Sequence, residues 1–172
     1  MMKKSLTTAA VLVLALGAAA VQAQQRRGPS TPEERRRAAE IATLLENEPL
    51  HKDAKKLSQE LLFFLIEVPD ISVTVCTDVL GDLKKIKGDY SPTITAQLTF
   101  SMAKFVIEHP EQAGDKNQVY VAGVEGVLRA YQNIKKAKPK VEIKPLEELL
   151  AKQQAGQLAD FVKAAAAAGC KE

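Results

Sequence analysis

Apolar side chains recur at intervals of three and four residues along most of the chain, which is the spacing of one face of an α-helix. The spacing predicts helices at about 31–48, 51–67, 91–108 and 115–137. A helical tail is predicted from about 145 to 168, where Gly156 can divide it in two. Good capping residues, such as Thr31 and Asp115, precede two of these segments. The pattern predicts an all-α fold.

The segment 71–86 admits two interpretations. Its first five residues alternate between apolar and polar side chains, as a half-buried strand does. Ile71, Val75 and Val79, however, keep helical spacing that continues to Ile86. Because the longer pattern outweighs the shorter one, and because Asp70 is a good N-cap, a further helix is predicted here.

The second predicted helix is apolar on two sides at its C-terminal half. Leu61 and Phe64 follow the main helical stripe, and Leu62, Phe63 and Ile66 lie on the other side. A helix that is apolar all round is usually buried. This half is therefore predicted to form the centre of the hydrophobic core.

The predicted helices arrange into consecutive antiparallel hairpins that begin near Thr31, Asp70 and Asp115. Their spacing of about 40 to 45 residues is compatible with a short helical-repeat array. Because no residue pattern recurs from pair to pair, a single-domain bundle of six or seven helices over residues 31–172 is the preferred prediction.

Small residues form a line on the predicted fifth helix, at Ala122, Gly126 and Ala130. Such a line allows another backbone to approach closely. Glycine in the middle of a helix costs about 0.5–1 kcal/mol relative to alanine. Gly123 and Gly126 are therefore predicted to have a packing role, and this line is predicted to be a close-packing helix face.

The amino terminus has the parts of a secretory signal peptide: a cationic start at Lys3 and Lys4, an uncharged stretch over 5–20 and a small residue at Ala23. A retained membrane anchor is disfavoured, because an apolar core of about a dozen residues is shorter than the ~20 that span a bilayer. We predict cleavage after Ala23, a flexible lead at 24–30, and a bacterial protein that is periplasmic or secreted.

The formal net charge is +3, from 24 basic and 21 acidic side chains. Removing Lys3 and Lys4 with the signal peptide leaves about +1. A nearly neutral chain has no general attraction to nucleic acid or to anionic lipid. No nucleic-acid partner is expected, and no later segment is apolar and long enough to predict a membrane span.

The two cysteines, Cys76 and Cys170, form an even number in a chain predicted to reach an oxidising compartment. These conditions favour a disulfide. The alternative is a buried Cys76 thiol and a free Cys170 thiol near the C-terminus. No Cys-x-x-Cys motif is present, so a redox-catalytic role is not expected.

Lysines cluster in two places that could bind an acidic partner or an anionic envelope polymer, the alternative being an ordinary solvated surface. One cluster lies just before the predicted helix at 91–108, and the other covers the end of the predicted helix at 115–137 and the loop after it. Their members are Lys84, Lys85 and Lys87, and Lys135, Lys136, Lys138, Lys140 and Lys144.

Motifs that carry chemistry are few. Ser101 and Lys104 match the Ser-x-x-Lys pattern of penicillin-recognising enzymes, but the companion motifs are absent and the chain is short for that fold. Ser101 is therefore predicted to be an ordinary polar residue. His51 and His109 do not have metal-ligand spacing. No catalytic residue, metal ligand or cofactor is predicted.

These observations favour a non-enzymatic binding or interaction module of the cell envelope. Its partner is expected to be a protein or another envelope component, and its oligomeric state stays open. The alternatives are a periplasmic chaperone-like holdase, or a small enzyme whose site has no recognisable sequence signature.

Overall fold

The computed structural model describes residues 27–82 and 90–170. Within them lie six α-helices and two short 3-10 turns, Thr77–Leu80 and Pro110–Gln112, and no β-strand. The helices are α1 (Pro32–Asn47), α2 (Ala54–Glu67), α3 (Ser91–Glu108), α4 (Lys116–Ala137), α5 (Lys144–Gln154) and α6 (Leu158–Gly169). The predicted all-α helical bundle is confirmed.

Local capping chemistry sets the start of α1 and of α4. The Thr31 hydroxyl accepts a hydrogen bond from the Glu34 N–H at 3.2 Å, and the Thr31 N–H donates to the Glu34 carboxylate at 2.8 Å. At α4, the Asp115 carboxylate accepts from the N–H groups of Asn117 and Gln118. Because the N–H groups of a helix's first turn have no partner inside the helix, such side chains stabilise its start.

Consecutive helices pair as antiparallel hairpins. In the α1–α2 pair, Arg37 in the first half of α1 lies beside Glu60 in the middle of α2, and Arg27, before α1, lies beside Glu67 at the end of α2. In the α3–α4 pair, which shares the most extensive contacts, Met102 packs close to Gly123. In the α5–α6 pair, the Lys152 ammonium lies 4.8 Å from the centre of the Phe161 ring.

Two hydrophobic clusters fill the bundle. The larger one lies among α3, α4, α5, α6 and the Thr77–Leu80 turn, and includes Leu128 and Leu146, both fully buried. The smaller one lies between α1, α2 and Phe100 of α3. Phe64 and Leu65 of α2 pack against both clusters, so the described helices share one continuous interior.

The predicted helix at 71–86 is wrong at its start, because residues 71–76 have no regular secondary structure. This irregular stretch, called the strap below, leads into the Thr77–Leu80 turn. It buries Ile71 at its beginning, and the turn buries Val79 and Leu80. Four β-branched residues in the strap also have low helix propensity. Residues 83–86 of the predicted helix lie outside the described residues.

Cys76 in the strap and Cys170 after α6 lie at disulfide distance, with their Cα atoms 5.6 Å apart. This separation is within the usual range for a bridged pair. The pair joins positions 94 residues apart in sequence. It connects the strap to the end of α6, so the geometry agrees with the disulfide predicted from the sequence.

The predicted flexible lead is anchored where the structure describes it. The backbone N–H and hydroxyl of Ser30 both donate to the Asp70 carboxylate, at 2.8 and 2.7 Å. The Arg27 guanidinium lies 3.1 Å from Glu67 and 5.6 Å from the centre of the Phe64 ring. In the structure, polar contacts thus join residues 27–30 to α2 and to Asp70, just before the strap, while the flexibility of the lead stays a prediction.

The predicted signal peptide, residues 1–23, and residues 24–26 of the lead lie outside the described residues. Among the helices of 27–82 and 90–170, none combines the length and the apolar character that crossing a membrane requires.

Candidate functional site

A carboxylate is buried where α1, α3 and α4 meet. Glu46, in the last turn of α1, is only 2% exposed. Glu46 is not among the functional residues predicted from the sequence. The signal that could have identified it is its position, because Glu46 follows the buried Ala42 by four residues and so shares the inner face of α1.

Four neighbouring side chains satisfy this carboxylate, directly or through one another. The Ser101 hydroxyl donates to Glu46 Oε1 at 2.8 Å and accepts from Gln97 Nε2 at 2.9 Å. Arg129 Nε donates to Glu46 Oε2 at 2.9 Å, and Lys104 Nζ lies 3.8 Å from the same oxygen. A buried charge is tolerated when it is paired and hydrogen-bonded in this way. We call these five residues the polar cluster.

Gly126 of α4 makes room for the polar cluster. A Cβ atom at this position would overlap the Ser101 side chain and lie 2.7 Å from Glu46 Oε1. Gly123, one turn earlier, is equally restricted, because its Cβ would lie 2.5 Å from Met102 Cγ and 3.0 Å from Leu98 Cδ1. Close approach to α3 therefore accounts for both glycines.

The other members of the predicted close-packing face differ in their surroundings. Ala130 is fully buried, whereas Ala122 is half-buried and lines a shallow cleft next to Phe105. Only Gly126 among the three predicted positions is shown to face the polar cluster. Gly126 and Ala130 thus serve packing within the chain along α4.

The polar cluster has the geometry of a structural cross-link between helices. A lysine that activates a serine must take the serine proton, whereas the Ser101 hydroxyl donates to Glu46. Ser101 is 3% exposed in the middle of α3, where helical hydrogen bonds occupy the backbone N–H groups that could stabilise an oxyanion. Asn133 completes the arrangement by donating to the Glu46 carbonyl oxygen at 3.0 Å.

A second side-chain cluster attaches α5 to α4. The buried Tyr131 hydroxyl donates to the Glu147 carboxylate and accepts from the Ile143 N–H at 2.9 Å. Burial, with the nearby Glu147, raises the pKa of Tyr131 to about 12. The Lys135 ammonium and the Tyr131 hydroxyl lower the pKa of Glu147. These contacts serve the packing of the two helices.

Three lysines of the predicted binding surface already make contacts within the chain. Lys135 forms an ion pair with Glu147, and Lys136 donates to Asn133 at 3.0 Å. The ammonium of Lys138 lies 5.9 Å from the centre of the Tyr90 ring.

Lys135 is half-buried, whereas the other described lysines of this surface are exposed. They are Lys136, Lys138, Lys140 and Lys144. The other predicted cluster, Lys84, Lys85 and Lys87, lies outside the described residues.

The outer side of α2 carries the largest departure from the sequence prediction. Leu62, Phe63 and Ile66, expected at the centre of the core, are 47%, 63% and 69% exposed. The helix instead buries its opposite side, where Leu61 is 1% exposed. The reason is that α1 and α3 pack on α2 from that side, and no described element covers the other. We call Leu62, Phe63 and Ile66 the α2 apolar face.

A groove of about 390 Å³ lies beside this face, between α2 and the start of α3. Its walls are mainly apolar and include Leu45, Pro49 and Phe100, and Leu62 belongs both to the groove and to the α2 apolar face. Lys55 also lines it. The face and the groove together form a continuous apolar surface with a cationic group at its edge.

Neither region gathers metal ligands. In the described part of the chain, no three His, Cys, Asp or Glu side chains lie close enough together to hold a metal ion. The α2 apolar face carries no group that could act as a nucleophile or as a general base. Its arrangement can bury apolar surface against a partner.

Comparisons with known proteins add no functional information. No protein-family model, no curated protein and no solved structure matches the chain. The function of the chain is therefore inferred from the side chains of the described residues.

Proposed function

We propose that the chain is an exported, non-enzymatic binding protein of the cell envelope that docks its partner through the α2 apolar face. The observation that carries this proposal is the exposure of three large apolar side chains, between 47% and 69%, on one side of one helix. Single exposed apolar residues are common on protein surfaces, whereas contiguous ones mark interaction sites.

The setting of the face supports docking. Leu61 and Phe64 hold α2 against the interior, so the outer side chains project from a packed helix. Aromatic side chains at such positions often dominate binding energy, and Phe63 is the aromatic member of the face. The adjoining groove adds apolar surface next to Leu62.

Two observations support export. The first 23 residues have the charge and hydropathy pattern of a secretory signal peptide. Cys76 and Cys170 lie at disulfide distance, and disulfides are typical of oxidising compartments. Mass spectrometry of the N-terminus of the protein recovered from the exported fraction tests this part of the proposal. Residue 24 is the expected first residue, and an intact Met1 in that fraction would contradict it.

Site-specific photo-crosslinking in bacterial cells tests the docking surface. A photoreactive residue at position 63 is expected to give discrete adducts with an envelope component, and Ile66→Ser is expected to abolish them. The matched position is Val75 in the strap, which is 44% exposed but lies outside the α2 apolar face. Adducts of equal yield from position 75, or adducts that persist in Ile66→Ser, would refute docking through α2.

The same exposed face also favours a chaperone-like holdase, because unfolded chains expose the apolar segments that such a surface binds. This alternative predicts that the protein suppresses aggregation of an acid-unfolded model client and that Ile66→Ser loses the effect. Val75→Ser is the control. Equal suppression by both variants would exclude the α2 apolar face as a client-binding surface.

A further inference from the structure

The charges beside the α2 apolar face restrict the chemistry of its partner. Lys52, Lys55 and Lys56, at and before the start of α2, are all exposed. None of the three takes part in an ion pair with another described residue. Asp53, between them, lies 3.9 Å from His51 and offsets one of the three positive charges.

Arginines lie beside the carboxylates farther along the same helix, and Arg27 also pairs with Glu34 of α1. Glu60 lies 3.0 Å from the Arg37 guanidinium of α1, and Glu67 lies 3.1 Å from that of Arg27. The outer side of α2 is therefore locally cationic, although the chain without its first 23 residues is close to neutral.

The cationic and apolar groups share one side of the helix. Lys55, Gln59, Leu62 and Ile66 follow one another at intervals of three and four residues, and all are exposed. The 14 residues of α2 span about 21 Å, with lysines in the first half and apolar side chains in the second. Helices that lie on membrane surfaces carry lysines on their polar face and Phe or Leu side chains on the opposite face. In α2 the same two kinds of group instead occupy successive halves of one exposed side.

We propose that this side of α2 docks the protein on an anionic lipid surface, with the lysines at the headgroups and Phe63, Ile66 and Leu62 inserted between them. The proposal rests on the proposed function and names the partner of the same face. Charge complementarity favours an anionic surface over a neutral one. Phe63 and Ile66 form a ridge that is more than 60% exposed, and fluid lipid adapts to a ridge whereas a protein partner must supply a fitting groove.

Vesicle co-sedimentation of the protein purified from the exported fraction tests this inference. Mass spectrometry first establishes which residue begins the exported protein. Protein that lacks the apolar signal peptide is then used, because that peptide would itself bind lipid. Vesicles of phosphatidylcholine alone are compared with vesicles that also contain phosphatidylglycerol. We expect binding to the second kind only, and weaker binding at high salt, because salt screens the lysine–headgroup attraction.

Three double variants locate the contact. Phe63→Ser with Ile66→Ser is expected to weaken binding at least tenfold, since insertion of apolar side chains supplies part of the affinity. Lys55→Gln with Lys56→Gln is expected to weaken it by about fivefold for each lysine. Lys138→Gln with Lys140→Gln, which removes two lysines from the loop after α4, is the charge-matched control and should leave binding unchanged.

The outcomes separate this inference from the proposed function. Absence of binding to anionic vesicles, or binding that depends on Lys138 and Lys140, would overturn the lipid inference. If discrete protein adducts still form from position 63, docking through α2 stands with a protein as the partner. If neither vesicles nor crosslinked partners engage the face, both proposals fail. Unchanged far-ultraviolet circular dichroism shows that each variant is folded.

Discussion

The polar cluster and the α2 apolar face depart from the usual distribution of residues in opposite directions. Glu46 is a carboxylate that is 2% exposed, whereas Phe63 and Ile66 are apolar side chains that are more than 60% exposed. Other residues of the chain offset the first departure, and no described residue offsets the second. Ser101 and Arg129 supply the hydrogen bonds that Glu46 needs, and no described residue covers the outer side of α2.

This difference assigns a structural role to the polar cluster and a binding role to the α2 apolar face. A buried charge with all its partners in the same chain serves the fold, because the chain itself satisfies its hydrogen-bonding capacity. Apolar surface left in water lowers its free energy when another molecule covers it. The four predictions below test this distinction, from the largest expected effect to the smallest.

Replacing Glu46 by alanine is expected to lower the free energy of unfolding by about 3 kcal/mol, because Ser101 and Arg129 lose their buried acceptor. Urea unfolding followed by circular dichroism measures this change. Glu40→Ala, at an exposed position of the same helix, is the control and should change stability by no more than about 0.5 kcal/mol. Equal effects of the two substitutions would show that the polar cluster does not stabilise the bundle.

Replacing Gly126 by alanine is expected to lower the free energy of unfolding by about 2 kcal/mol, because the added methyl group overpacks the site beside Ser101 and Glu46. This sign is informative, because alanine is otherwise the better helix former by about 1 kcal/mol. Gly114→Ala, where a Cβ meets no atom within 4 Å, is the control in the same urea assay. A more stable Gly126→Ala variant would contradict the close approach of α4 to the cluster.

Acid should weaken the contacts that hold the lead beside α2. Hydrogen bonds from Ser30 lower the pKa of Asp70 from its ordinary 3.8 to about 2. Since the folded-state pKa lies below the unfolded one, the charged carboxylate stabilises the fold above about pH 4, and this contribution is lost as the pH falls to about 2. The urea midpoint measured across this window should fall less steeply for Asp70→Asn than for the wild type.

Asp160→Asn, at an exposed position of α6, is the matched control for this pH dependence and should behave as the wild type does. If the pH profile of Asp70→Asn coincides with those of the wild type and of Asp160→Asn, the Ser30 contact adds nothing to stability. The apolar side chains of α2 do not titrate, so they make no contribution of their own to the acid dependence.

Substitution on the α2 apolar face should have the smallest effect on the fold. Ile66→Ser is expected to change the free energy of unfolding by no more than about 0.5 kcal/mol, because the side chain is already mostly in water. Val75→Ser provides the comparison at another exposed position. A loss of several kcal/mol would mean that Ile66 is buried in the folded protein, and would remove the distinction between the two regions.

Several helix boundaries could be predicted because the responsible interactions are local. The capping box of Thr31 and Glu34 starts α1, and Asp115 starts α4 within one helical turn. The close approach at Gly126 was also predictable in kind, since an otherwise costly glycine in a long helix indicates a packing role. The partners at that position could not be predicted, because they come from α1 and α3.

The errors occurred where distant contacts outweigh local preference. The strap keeps helical spacing, yet it is not helical. Ile71 at its start and Leu80 in the turn after it are buried in the interior, while Cys76 lies beside Cys170, 94 residues further on. Tertiary contacts of this kind override secondary-structure propensity. The prediction that the outer side of α2 is buried was wrong for a similar reason. Both sides of the helix are apolar near Phe63, and the neighbouring helices determine which side is covered.

The sequence by itself determined the helical class and most helix ends, and it identified Cys76 and Cys170 as a candidate pair, because periodicity, capping and cysteine number depend on few residues. Only the tertiary structure decided that Glu46 is buried and that Phe63 is exposed. The partners of Glu46 lie 55 and 83 residues away, at Ser101 and Arg129. Burial depends on which elements of the folded chain come together, and a helical pattern does not specify its neighbours.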